Sequence, residues 1–107
     1  MTNRAKARGT AWETRLVKYL QENGFPYAER RALTGALDRG DIAGIPLVCL
    51  EAKNARRHEL AQWIDEVVKE KANAQAQIAA VVFPRRGHSA ARAYVLMELQ
   101  QFIDLIR

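Results

Sequence analysis

A chain of 107 residues with 49% hydrophobic and 27% charged residues is long enough for one domain around one core, and too apolar to stay unfolded. Its single cysteine, Cys49, excludes an intramolecular disulfide framework and a cysteine-rich zinc site; it reads as a small buried hydrophobe in a reducing, cytosolic setting. No apolar run approaches the ~20 residues of a membrane span, and Met1-Thr2-Asn3-Arg4-Ala5-Lys6 lacks the apolar stretch of a secretory signal, so membrane and secreted classes are set aside.

The first helix is predicted over 10–23. Thr10-Ala11-Trp12-Glu13 has capping-box spacing, Trp12, Leu16, Tyr19 and Leu20 follow at helical intervals, and Asn23-Gly24 offers a stop. Residues 1–9 then form a basic arm ahead of it. Pro26 restarts the chain in extended form, with a strand over Tyr27–Leu33 and a loop from Gly35 to Gly40. Asp41–Ala43 and Leu47–Lys53 read as two strands joined through Gly44-Ile45-Pro46, a connection short enough for a hairpin.

From about 58 to 72 the period becomes 3.6, with Leu60, Trp63, Ile64, Val67 and Val68 on one face and Glu59, Asp65, Glu66, Lys69 and Glu70 elsewhere. Ile78–Phe83 is a continuous apolar run, as expected of a strand buried on both faces. A last extended piece, Ala93–Met97, leads into Leu99, Phe102, Ile103 and Ile106 at helical spacing. The order αβββαβ, then a strand and a short helix, predicts an α/β fold with helices packed on a mixed sheet, in a single domain over 1–107.

The formal charge is +5, and residues 1–57 carry all of the excess, with 11 Lys and Arg against 6 Asp and Glu; residues 58–107 carry 6 of each. It concentrates in Arg4, Lys6 and Arg8, in Arg30-Arg31 and in Arg56-Arg57, with a smaller pair at Arg85-Arg86. Any one cluster is ordinary solvated surface; together they predict a phosphate-binding face and a nucleic-acid partner.

The candidate chemistry lies in Glu13, Asp41, Glu51 and Lys53. Strand positions two apart share a face, so Glu51 and Lys53 project together while Leu50 and Ala52 point away, and a hairpin sets Asp41 beside them. Carboxylates so close repel unless a cation keeps them ionised. Oxygen ligands suit Mg²⁺ or Mn²⁺, and the Ala52 carbonyl adds another. Lys53 is placed to orient a water or stabilise a phosphate, and Glu13 approaches from the first helix. Each residue also has a plainer reading: a capping glutamate for Glu13, a turn residue for Asp41, a solvated ion pair for Glu51 and Lys53.

With Glu13, Asp41 and Glu51-Ala52-Lys53 in this order, the chain resembles the PD-(D/E)XK nuclease superfamily. The run from Ala28-Glu29-Arg30-Arg31 through Gly40-Asp41-Ile42-Ala43-Gly44 to Glu51-Ala52-Lys53-Asn54 is similar to Holliday-junction-resolvase-like nucleases of actinobacterial bacteriophages; Val81–Gly87 and Tyr94–Met97 also fit. Gly40 stands where the motif has Pro. The resemblance covers roughly 10–83 and implies a restriction-endonuclease-like core. It also implies Mg²⁺-dependent phosphodiester hydrolysis in branched DNA, with metal on Asp41, Glu51 and the Ala52 carbonyl, Glu13 assisting and Lys53 at the attacking water. A homodimer matching the junction's twofold symmetry is implied too. Arg4, Lys6, Arg8, Arg30, Arg31, Arg56, Arg57, Arg85 and Arg86 would contact phosphates. A less selective nicking or end-degrading nuclease and a DNA-binding module that never cuts remain the alternatives.

Trp12 and Trp63 are read as core residues, Gln75 and Gln77 as the cap and loop after the second helix, and neither His58 nor His88 as a metal ligand.

Overall fold

The computed structural model describes residues 3–32, 35 and 37–107. Helix α1 (Asn3–Glu22) starts well before the expected capping box. Arg4, Lys6, Ala7 and Arg8 are good helix formers and carry the helix back through Gly9, so the basic segment expected as an arm is the first part of α1. Thr10 lies mid-helix, its carbonyl accepting from the Thr14 hydroxyl at 2.9 Å. The inward stripe of Trp12 and Leu16 is buried, and the Trp12 indole N–H donates to the Val82 carbonyl at 3.1 Å. Trp12 is therefore a packing residue. Gly24, at φ 105°, ends the helix, with the Phe25 amide returning to the Leu20 carbonyl.

Strands β1 (Glu29–Arg30), β2 (Ile42–Ala43), β3 (Val48–Ala52), β4 (Ile78–Phe83) and β5 (Tyr94–Leu96) form one sheet in that order. The expected strand over Tyr27–Leu33 is only two residues long. Ala28 is tied into a turn by its amide on the Phe25 carbonyl, and Leu33 lies outside the described residues. β2 pairs antiparallel with both β1 and β3, with Ile42 opposite Leu50. β3 and β4 are parallel, so they need a crossover, which is helix α2 (Leu60–Ala74); β5 returns antiparallel to β4. Among the described residues the result is an α+β fold of three α-helices on a five-stranded mixed sheet. No helix among the described residues is long and apolar enough to cross a membrane.

Alternation along the central strands builds two cores. Cys49, Val81 and Phe83 pack against Trp63 and Val67 of α2. Leu50, Ala52 and Val82 face the other way, onto Trp12 and Leu16 of α1. Two expectations for α2 fail: Leu60 and Val68 are exposed, and Glu70 is buried. Helix α3 (Leu99–Ile106) is held by Gln101, whose buried amide oxygen accepts from the Ala79 N–H at 3.1 Å and the Lys71 ammonium at 3.0 Å.

Candidate active site

The alternation that sends Leu50 and Ala52 to α1 sends Glu51 towards α2, where it is only 7% exposed. Carrying the Ile42–Leu50 register one residue further brings Asp41 beside Glu51, and the Asp41 Oδ2 accepts from the Ala52 N–H at 2.9 Å. Gly40 sets this approach. Its φ is 91°, and a Cβ there would stand 2.9 Å from the Leu50 carbonyl oxygen and 3.0 Å from the Cys49 sulfur, so the loop lies directly against β3.

Glu70 comes from α2, seven positions after Trp63 and three after Val67, and is only 4% exposed. Asp38, Glu51 and Glu70 each offer a carboxylate oxygen within 4.8 Å of the others. Asp41 lies within hydrogen-bonding reach of Glu51 on one side, and Glu70 touches Glu51 and Asp38 on the other. The sequence pattern thus brings Asp41 and Glu51 together as expected, but it does not reveal Glu70 or Asp38. The available signal was an acid on the 63–67–70 stripe, where helical periodicity asks for an apolar side chain.

Two oxygens of this group, Glu51 Oε1 and Glu70 Oε2, are buried with no N–H or hydroxyl donor to satisfy them, and the groups beside them are other carboxylates. Burial, then Asp41 and Glu70, push the Glu51 carboxyl far above the usual carboxylate range. Glu70 is pushed up to about 7, chiefly by burial, with the charges of Asp38 and Asp41 adding to it. Such a group holds a proton or a cation, and the donor set of hard oxygens fits a divalent ion such as Mg²⁺.

Lys53 shares this cleft of about 610 Å³. Its ammonium lies 2.9 Å from Glu66 Oε2 and 4.0 Å from Glu51 Oε2. Burial alone would lower its pKa, but the bond to Glu66 and the charges of Glu51, Glu66 and Asp41 outweigh burial and raise it. The ion pair with Glu66 thus favours the ammonium form of Lys53. Glu13 is half-buried on α1 and pairs with Arg30 at 3.3 Å; burial and the charge of Asp41 raise its pKa while Arg30 opposes them.

The basic clusters are divided. Arg8, Arg56, Arg85 and Arg86 converge on one cleft, joined by Arg15, which the sequence did not single out. Arg30 is engaged by Glu13, and Arg31 is half-buried. Arg4, Lys6 and Arg57 are exposed. Gln75 caps α2 in the left-handed conformation and Gln77 binds the Leu47 carbonyl through its amide, so the polar residue that α2 turns inward is Glu70. Compared with family models, with curated proteins and with solved structures, the chain finds no match.

Proposed function

We propose that the chain is a divalent-metal-dependent nuclease that hydrolyses DNA phosphodiester bonds, with branched DNA as its substrate. The observation that carries this reading is the pair of buried, unpartnered oxygens on Glu51 and Glu70 beside a cationic Lys53. A solvated ion pair needs no such burial, and a structural core would lose nothing by replacing both acids with apolar residues.

Glu51 and Glu70, flanked by Asp38 and Asp41, would hold the ion. When bound, a Mg²⁺ ion supplies an activated water and neutralises phosphate charge. Asp41 ties the end of β3 in place through the Ala52 N–H and leaves Glu51 aimed into the cleft. Lys53, kept protonated, stabilises the charge that builds on the phosphate oxygens during attack. Glu66 holds that ammonium in position at 2.9 Å. Glu13 of α1, joined to Arg30, lies near Asp41 and outside the group formed by Asp38, Glu51 and Glu70. Preference for branched DNA and a homodimer rest on the resemblance to junction-resolving nucleases. The dimer has further support in the uncovered apolar face of α3, where Leu99 is 73% and Phe102 50% exposed.

Cleavage of a labelled four-way junction beside linear duplex and single strand, with Mg²⁺ and with EDTA, tests the proposal. Wild-type protein with Mg²⁺ cuts the junction in paired nicks, and Asp41→Asn loses at least about a hundredfold in rate. Binding without cleavage, unchanged by metal, would leave a DNA-binding module.

A further inference from the structure

We propose that the arginine-lined cleft at the carboxyl ends of β3 and β4 takes an unpaired nucleotide of the DNA strand, stacking its base on an aromatic floor; this rests on the nuclease reading above. The cleft has a volume of about 630 Å³ and is lined by Arg8, Arg15, Arg56, Arg85 and Arg86, with no carboxylate among its lining residues. None of the five makes an ion pair among the described residues. Guanidiniums gathered without counter-charge form a strong anion site.

Charge alone would suit any phosphate, and the floor is what narrows the ligand. His58 and Tyr94 both line the cleft, and both rest on Phe83, with ring centroids 4.9 Å and 5.3 Å away. Phe83 in turn packs on Trp63 at 5.2 Å, and both are buried, so His58 and Tyr94 rest on residues anchored in the core. Tyr94 is 44% exposed, leaving ring surface free. Basic walls with an aromatic floor are the pattern by which proteins hold single-stranded nucleic acid. A paired base hides its faces in the stack, and an unpaired one offers them. A lone phosphate would use only the arginines, whereas a nucleotide also sets its base on the aromatic residues.

The cleft also meets the acidic site. Asn54, one of its lining residues, follows Lys53 directly, and its side chain donates to the Arg8 carbonyl at 3.4 Å, tying α1 to the end of β3. The two clefts therefore border each other at Asn54 and Lys53, and a nucleotide held in the basic one lies next to the acidic one. The inferred substrate is DNA with an unpaired nucleotide beside the cut, such as a frayed branch point, flap or overhang.

The test is fluorescence anisotropy in EDTA, so that no cleavage enters, with a blunt duplex and the same duplex bearing a short thymidine overhang. Wild-type protein binds the overhang duplex at least about fivefold more tightly. His58→Ala/Tyr94→Ala abolishes that difference while holding blunt-duplex affinity within about twofold, and Tyr94→Phe retains it. Equal affinity for the two duplexes, or equal loss on both in the double variant, would overturn the inference. So would displacement of the overhang by thymidine monophosphate with the same affinity, which would mark a free-nucleotide site. A protein that cuts DNA but shows no preference refutes only this inference; one that shows it and never cuts refutes only the nuclease.

Discussion

Glu51 and Glu70 sit where ionisation is costly, and that has a stability consequence. Both bind protons more tightly in the folded chain than in the unfolded one. Their contribution is fully present below the ordinary value of 4.5 and is lost as pH rises through the folded values, about 7 for Glu70. Metal-free protein should therefore lose thermal stability as pH rises from about 5 to 8, Glu70's share being lost near its folded value of about 7 while Glu51's loss continues above pH 8, and Mg²⁺ should restore stability at the upper end. Melting curves in EDTA across that range check this; a flat profile contradicts it. Glu70→Gln in EDTA at pH 8 is expected to raise stability by about 1–2 kcal/mol, allowing for water in the cleft, while losing the Mg²⁺ response. Lys53→Met should cost at least about a hundredfold in cleavage rate and leave metal affinity within about threefold, as expected of a charge that acts on the phosphate. Of this site, Glu51 and Lys53 were legible because strand alternation puts them on one face. Glu70 was not, because a charged side chain on a helix is ordinarily assigned to solvent.

The turn into β3 is an element with stored strain. Pro46 and Leu47 are its central residues, the Val48 amide returns to the Ile45 carbonyl at 3.3 Å, and Leu47 takes φ 64°, where glycine or asparagine is favoured. Leu47 is exposed, so Leu47→Gly should stabilise the fold by about 1 kcal/mol, seen as a rise in Tm of about 4–8 °C. Gly44 is the converse: at φ 89°, an added Cβ would overlap the Tyr27 carbonyl. Gly44→Ala should cost about 2 kcal/mol or more and loosen the β1–β2 pairing that Arg30 shares. β4 was legible residue for residue, since a continuous apolar run bounded by Pro84 has one reading. The start of α1 was not, because the capping-box spacing at Thr10 marks a start that the helix propensity of the basic residues before it overrides.

Across the whole molecule, the net charge of +5 resolves into an acidic cleft and a basic cleft that meet at Lys53 and Asn54. DNA affinity should fall steeply with salt, and Arg85→Ala/Arg86→Ala should flatten the log–log slope by about 1–2. If the proposed homodimer forms through the exposed apolar face of α3, Leu99→Glu/Phe102→Glu should shift a particle of twice 12.1 kDa to one of 12.1 kDa in sedimentation, and a wild type that sediments as a monomer contradicts the dimer. Convergence of Arg8, Arg15, Arg56, Arg85 and Arg86 was not readable from their positions, because it depends on the parallel pairing of β3 with β4. The central claim is that buried Glu51 and Glu70 exist to hold a divalent ion. Titrating Mn²⁺ into wild-type protein and into Glu70→Gln, with bound ion read by electron paramagnetic resonance, tests it most directly. The account predicts saturable binding in the wild type and at least about tenfold weaker binding in the variant. No saturable binding in the wild type, or equal binding in both, would contradict it.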